Sequence, residues 1–157
     1  MEEDKSFVDK LSDLIQSHNK RLNWNEYFIS IALLMSSRSS CDRLHVGCIL
    51  VKKNRILSGG YNGFLQKSPH ISRVKDNHEQ GTIHAEINSV AHCANAGISS
   101  VDSTCYVTHY PCINCFKCLV SAGIIKIIYL NDYKNDPLVQ ELALESGIKI
   151  QKFISSV

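Results

Sequence analysis

The sequence predicts an α/β fold, a three-layer α-β-α sandwich, on three observations. Strand-length apolar runs alternate with helix-period segments from His84 onward. Each helical segment stops at a glycine, first Gly97, then Gly123, then Gly147, as helix C-termini favour. A two-strand hairpin over residues 46–60 precedes the alternation. Strand and helix in alternation imply crossover connections and a parallel part of the sheet, with helices on both faces.

Taken in order, Phe7, Val8, Leu11, Leu14 and Ile15 share one face at helical spacing and predict a short amphipathic helix packed on the rest. Asn25 is the expected cap of a second helix, with Glu26 in its first turn and Tyr27, Phe28, Ile31, Leu34 and Met35 turned inward. The polar run from Ser36 to Cys41 ends it. Residues 46–51 read as a strand, Lys52 to Asn54 as a tight turn, and residues 55–60 as the antiparallel partner. From Tyr61 to Gly81 the chain carries Gly63, Pro69 and many polar residues and is expected to be a long loop; loops of that length in a compact domain are usually functional. A helix over 84–96, a strand over 104–108, a helix over 112–122, a strand over 124–130, a helix over 138–146 and a strand over 148–153 complete the pattern.

With 157 residues, 44% of them hydrophobic and 20% charged, the chain is expected to be one globular domain over 1–157. A net charge of +2 and scattered basic residues argue against wrapping nucleic acid. The start, Met1-Glu2-Glu3-Asp4-Lys5, is acidic with no apolar run behind it. No signal peptide or membrane span is read, and a cytoplasmic location is expected. Seven cysteines, an odd number, point to reduced thiols rather than a disulfide framework. Cys48, Cys93, Cys105 and Cys118 stand in apolar surroundings and are expected in the core.

The chemistry concentrates in His84-Ala85-Glu86 and Pro111-Cys112-Ile113-Asn114-Cys115, both at expected helix starts. Cys112 and Cys115, at i and i+3 of a first turn, put two sulfurs on one face, and Pro111 suits a helix start. Free N–H groups and the positive end of the helix dipole favour the thiolates that a metal needs. With a neutral imidazole from His84 the donors fall one short of the tetrahedral set that zinc prefers, so the site reads as open and catalytic. Glu86, two residues from His84, is off the ligand face and poorly placed as a fourth donor. It is expected beside the open position as a proton shuttle. Zinc brings the pKa of water to about 7 from ~16, and a neighbouring carboxylate passes the released proton to a ring nitrogen and to departing ammonia. The reaction class is hydrolytic deamination. Other readings of C-x-x-C lack their complement: no second pair completes a zinc ribbon, and no cysteine follows Cys118 to complete an iron–sulfur run. H-x-E followed by P-C-x-x-C is the known signature of the zinc nucleobase deaminases.

From about Tyr27 to Phe153 the chain resembles the deoxycytidylate (dCMP) deaminases of the cytidine deaminase superfamily. The two motifs above are shared across that superfamily and indicate chemistry rather than substrate. The closer likeness to the dCMP enzymes lies in Gly60-Tyr61-Asn62-Gly63 after the hairpin, in Arg38-Ser39-Ser40-Cys41-Asp42-Arg43-Leu44-His45-Val46-Gly47 before it, and in Ala122-Gly123-Ile124 with the strand that follows. The resemblance implies a five-stranded mixed sheet of the cytidine deaminase-like type, Zn2+ as cofactor, a pyrimidine deoxynucleotide as ligand and conversion of dCMP to dUMP. It also implies that Asn62 hydrogen-bonds the substrate, a left-handed turn residue being the alternative. For the monophosphate, Arg38 is the first candidate and Lys117 the second, with Arg43 in the same loop as Arg38; each is otherwise a solvated surface charge. Tyr133 is a candidate to close over the base.

Some relatives carry a second, structural zinc. Cys41, His70 and His78 stand in comparable places, with His45 a further candidate, against the reading of plain solvent-exposed histidines. A homo-oligomer, commonly a hexamer, and allosteric regulation by dCTP and dTTP, with Mg2+ accompanying the nucleotide effector, are implied as well. Two departures from the family pattern flank the pocket: Phe64-Leu65-Gln66 follows Gly63 where a proline is usual, and Thr108-His109-Tyr110 precedes Pro111. They leave dCTP or another pyrimidine nucleotide open as a substrate. The rival readings are a deaminase of nucleosides or polynucleotide bases and a non-catalytic zinc-binding scaffold. The modest charge opposes polynucleotides, the Tyr61-Asn62-Gly63 context opposes nucleosides, and the presence of Glu86 opposes the scaffold.

Overall fold

The computed structural model describes residues 5–155, so the acidic start at residues 1–4 lies outside the described residues. The first helix, α1 (Phe7–Ser17), is capped by Ser6, whose side chain accepts from the Asp9 N–H while the Asp9 carboxylate accepts from the Ser6 N–H. That reciprocal arrangement satisfies two of the free donors at a helix start. α1 buries no residue, and Phe7, Val8, Leu14 and Ile15 are 64 to 71% exposed. The expectation that it packs on the rest is therefore corrected: its apolar face is left exposed.

That helix, α2 (Trp24–Ser36), begins at Asn23 rather than Asn25. The Asn23 side chain accepts from the Glu26 N–H at 2.9 Å, three residues on, as a cap must. Asn25 instead accepts the Tyr106 hydroxyl at 2.8 Å. β1 (Gly47–Lys52) and β2 (Arg55–Tyr61) form the expected antiparallel hairpin. Lys53 and Asn54 take φ of 49° and 58° between them, which gives the two-residue turn whose twist matches that of the strands.

The expected loop over 61–81 has structure of its own. β3 (Gly63–Phe64) pairs antiparallel with β6 (Thr82–Ile83), and between them β4 (Val74–Lys75) pairs with β5 (His78–Glu79). The excursion thus leaves and returns at one place, and His84 follows directly on β6. The predicted alternation comes next: α3 (Ala85–Ala96), β7 (Thr104–His109), α4 (Ile113–Ser121), β8 (Lys126–Asn131), α5 (Pro137–Ser146) and β9 (Lys149–Lys152). Gly97 and Gly147 end α3 and α5 at φ of 67° and 68°, a left-handed backbone that glycine adopts without steric cost.

The five long strands form one sheet in the order β2-β1-β7-β8-β9. β1 is antiparallel to β2 and β7, while β7–β8 and β8–β9 are parallel and need the crossovers that α4 and α5 supply. Side chains of β1 alternate between the faces. Cys48 and Leu50 pack with Ala85, Cys93, Leu119 and Val139 of α3, α4 and α5; Ile49 and Val51 pack with Phe28, Ile29 and Ala32 of α2. Burying each large aliphatic of this kind stabilises the fold by about 1.5–3 kcal/mol. The outcome is the predicted three-layer sandwich around a mixed five-stranded sheet.

Gly60 sets how closely α3 approaches the sheet. A Cβ there would meet the Ala85 carbonyl oxygen at 2.7 Å and the Ser89 nitrogen at 2.8 Å. The Ser58 hydroxyl then donates to the Ser89 carbonyl at 2.7 Å. These contacts fix the first turns of α3. All seven cysteines are free thiols, with Cys48, Cys93 and Cys105 buried as expected and Cys118 half-buried. Among the described residues no helix is long and apolar enough to cross a membrane.

Candidate metal centre and active-site pocket

Two helix starts meet at the candidate site. His84 occupies the cap position of α3 and Cys112 that of α4. His84 Nδ1, Cys112 Sγ and Cys115 Sγ lie within 4.8 Å of one another. The imidazole nitrogen is 3.3 Å from Cys115 Sγ and 3.7 Å from Cys112 Sγ. The Cys115 N–H donates to Cys112 Sγ at 3.5 Å, so a sulfur does the capping usually done by an oxygen. Pro111 accordingly stands before the cap and not in the first turn. One imidazole and two thiols are the nitrogen and sulfur donors that zinc prefers, and three of them leave a corner of a tetrahedron free. The residues fit the ion.

The proton affinities of the donors say what a metal displaces. Cys112 is held down to about 4, first by its hydrogen bond with Cys115 and then, against burial, by that with His84. Cys115 is driven far above the usual thiol range by the same bond to Cys112 and by burial. His84 is raised, chiefly by its bond to the Cys112 sulfur. A dication binding here therefore releases protons from Cys115 and His84. Glu86 is 5% exposed, and burial raises its carboxyl above the ordinary carboxylate value. It hydrogen-bonds Cys115 and stands outside the donor group. A buried carboxyl with a raised pKa next to a metal site is suited to carrying a proton.

His84, Glu86 and Cys112 open into a pocket also lined by Asn62, His109, Tyr110 and Tyr133, with the exposed Arg43 and Lys134 and the half-buried Glu79 at its mouth. Asn62, from the end of β2, is 7% exposed. Its Oδ1 accepts from the Val46 N–H at 2.8 Å and the Ser39 hydroxyl at 2.6 Å, and its Nδ2 donates to the Leu44 carbonyl at 2.6 Å. Its φ is not positive, so the left-handed turn alternative does not hold. The side chain clamps residues 39–46 to the sheet and keeps one Nδ2 hydrogen unassigned. Tyr133 stands at the pocket with its ring edge-on to His109, centroids 6.0 Å apart, and the Lys134 ammonium lies 5.5 Å from its ring centre.

Other predicted site residues are not brought in. Arg38 is exposed and does not line the pocket, and Lys117 faces a separate surface depression between α4 and α5. Among the described residues the group at His84 is the one cluster of three or more histidine, cysteine or acidic donors close enough for a metal, so Cys41, His70 and His78 do not gather into a second. Cys41 and His78 do line the pocket, while the His70 ring stacks on Phe64 at 5.0 Å and His45 is exposed. Sequence reasoning overlooked Lys134 and Glu79. For Lys134 the adjacent Tyr133 was the available signal; Glu79 had none, because it reaches the pocket through the β4–β5 turn. There its carboxylate accepts from the Arg73 N–H at 2.9 Å, the Gly81 N–H at 2.6 Å and the Ser72 hydroxyl.

Residues 22–131 match the family described as the cytidine and deoxycytidylate deaminase zinc-binding region. The chain is 39% identical over 137 residues to the ComE operon protein 2 of Bacillus subtilis, covering 85% of this chain and 72% of that protein. It is 26% identical over 155 residues to the deoxycytidylate deaminase of Schizosaccharomyces pombe, covering 91% of this chain and 48% of the relative, so it spans about half the length of that protein. The crystal structure of the dCMP deaminase from cyanophage S-TIM5 in complex with dCMP and dUMP is similar with a TM-score of 0.77 at 28% identity, over 86% of this chain and 100% of that one. With the matched span running from before α2 to the end of β8, and the donors sitting at the two helix starts inside it, the chain belongs to the cytidine and deoxycytidylate deaminase family.

Proposed function

We propose that the protein hydrolyses dCMP to dUMP and ammonia. The observation that carries this reading is the buried carboxyl of Glu86 set beside one imidazole and two thiols at the inner end of a pocket. His84, Cys112 and Cys115 would hold Zn2+, which would supply a polarised water with a pKa of about 7 for attack. Glu86 takes a proton from the attacking water and delivers it to the ring nitrogen beside the amino-bearing carbon, while oxygen bonds to that carbon and makes it tetrahedral. It then carries the proton of the new hydroxyl to the amino group. Ammonia leaves, and the carbonyl of uracil forms. Burial raises the carboxyl of Glu86 above the ordinary carboxylate range, which favours its carrying a proton.

The nucleotide is held by the pocket's own groups. Asn62 offers its remaining Nδ2 hydrogen, and the half-exposed ring of Tyr133 covers the base. Arg43 and Lys134 replace Arg38 and Lys117 as phosphate donors, because they line the pocket and the other two do not. The dCMP and dUMP bound in the cyanophage enzyme support the choice of substrate. Homo-oligomerisation, dCTP and dTTP as effectors with Mg2+, and a cytoplasmic location belong to the same reading and rest on likeness to the dCMP enzymes. The test is to incubate zinc-loaded protein with cytidine, deoxycytidine, dCMP, dCTP and a short oligonucleotide, with and without dCTP or dTTP as effector, and to assay ammonia. dCMP is the expected best substrate by kcat/KM. No ammonia from any of them would overturn the reading.

A further inference from the structure

His109 lines the pocket and belongs to neither metal motif. Its neighbour Thr108 is fully buried, and Thr108 Oγ1 accepts from the Gly47 N–H at 3.1 Å and lies 2.9 Å from His109 Nδ1. A hydroxyl has one hydrogen to give. If Nδ1 carried the ring proton and donated to Oγ1, the threonine hydrogen would be left in a buried place without an acceptor, which is costly. The hydroxyl therefore donates to Nδ1, and the neutral ring carries its hydrogen on Nε2. Burial lowers the pKa of His109 and keeps the ring neutral.

Nε2 has no protein partner among the described residues, and among those residues no buried side-chain nitrogen or oxygen lacks one. Nε2 is thus open to accessible space, and the space that His109 lines is the pocket. The relay is anchored at its far end. A Cβ on Gly47 would meet the Ala32 carbonyl oxygen at 2.0 Å, so the strand start that supplies the N–H is pressed against α2.

We propose that His109 is a specificity-determining residue: Thr108 locks its tautomer so that Nε2–H points a fixed donor at an acceptor oxygen of the nucleotide. This rests on the reading that the pocket takes a cytosine nucleotide. A group that only donates rewards an acceptor at that position and penalises a donor, because a mismatch leaves two hydrogens facing each other. The acceptor belongs either to the base and sugar or to the phosphate, and the two are separable by substrate.

The test uses the zinc-loaded protein and the variants His109→Phe, Thr108→Val and Thr108→Ser, with KM and kcat measured on dCMP and deoxycytidine. Long-range proton–nitrogen NMR of the histidines serves as a second readout. The wild type should show a neutral ring protonated on Nε2. Thr108→Val should let both tautomers appear, and Thr108→Ser, which keeps the hydroxyl, should restore the wild-type signal. His109→Phe should raise KM for dCMP about tenfold with a smaller change in kcat. Thr108→Val should raise it less, and not at all in the His109→Phe background. If the His109→Phe penalty persists with deoxycytidine, the acceptor is on base or sugar; if it vanishes, the acceptor is the phosphate. A ring protonated on Nδ1, or a KM unchanged for both substrates, would overturn the proposal. Failure of the wild type to deaminate any cytosine compound defeats the functional reading by itself. A dUMP titration that leaves the Nε2 resonance of His109 unmoved defeats this proposal whichever way that assay falls.

Discussion

The floor of the pocket and its mouth are held by different means. On the floor, His84, Glu86 and Cys112, together with the buried Cys115, lie at the cap or first turn of helices resting on the sheet, so backbone hydrogen bonds and core packing fix them. At the mouth, Arg43 and Lys134 stand on irregular segments and Glu79 on a two-residue strand, and side chains tie this region together: Arg43 to the Asn77 carbonyl, Glu79 to the Arg73 and Gly81 N–H groups, Asn62 to Leu44 and Val46. Bond-making needs distances held tightly around a reacting atom, and helix starts provide that. Choosing among ligands needs charge and shape, which loops on a rigid scaffold supply. Damage to the floor should therefore appear in kcat and damage to the mouth in KM.

The sharpest break in that comparison would come from Glu86→Gln, which keeps the shape and removes the carboxyl that the proposed mechanism uses to carry the proton. We expect kcat to fall about 10³-fold or more with zinc content unchanged; metal analysis beside a rate assay checks both halves. Next, zinc uptake should depend steeply on pH. Cys115 and His84 are both raised, so protons compete with the metal at lower pH. Raising pH removes that competition, and affinity should climb up to roughly a hundredfold per pH unit while both protons are displaced. Competition with a chromophoric chelator at several pH values reads this, and a flat profile would contradict the proton assignment.

At the mouth, the Arg43→Ala, Lys134→Ala double variant should raise KM for dCMP roughly 30-fold and leave deoxycytidine nearly unaffected, since each of the two exposed charges is worth up to about 1 kcal/mol. An equal loss on both substrates would place the phosphate elsewhere. Asn62→Ala strips partners from the Val46 N–H, the Leu44 carbonyl and the Ser39 hydroxyl and should cost about 3 kcal/mol in urea unfolding. The smallest effect is expected from deleting residues 1–17, less than about 1 kcal/mol, because α1 buries nothing. A larger loss would mean that its apolar face is covered in solution.

The floor was legible in the sequence because helix starts, ligand spacing and glycine stops are local signals. H-x-E and P-C-x-x-C gave the donors, and Gly97 and Gly147 gave the helix ends. The mouth was not legible for the opposite reason. Arg43 was named beside Arg38 in one loop, but its tie to the Asn77 carbonyl, 34 residues on, has no sequence signal; Lys117 follows Cys115 by two residues, which on a helix turns it to another face. Asn23 and Asn25 differ by two positions, and only the register of the Glu26 N–H decides between them. For α1 the apolar spacing was real, but periodicity reports a face and not what lies against it.

The short ladder of Gly63 with Ile83 and Phe64 with Thr82 has an evolutionary consequence. It pinches the excursion shut at its root, so residues added or removed between β3 and β4, around Lys67 and Ser68, need not shift His84. Closing a longer flexible loop costs only about 0.6 kcal/mol per doubling of length. A lineage can therefore rewrite the segment over the pocket by insertion and deletion, trying new ligands while His84 and the two cysteines beneath stay in register.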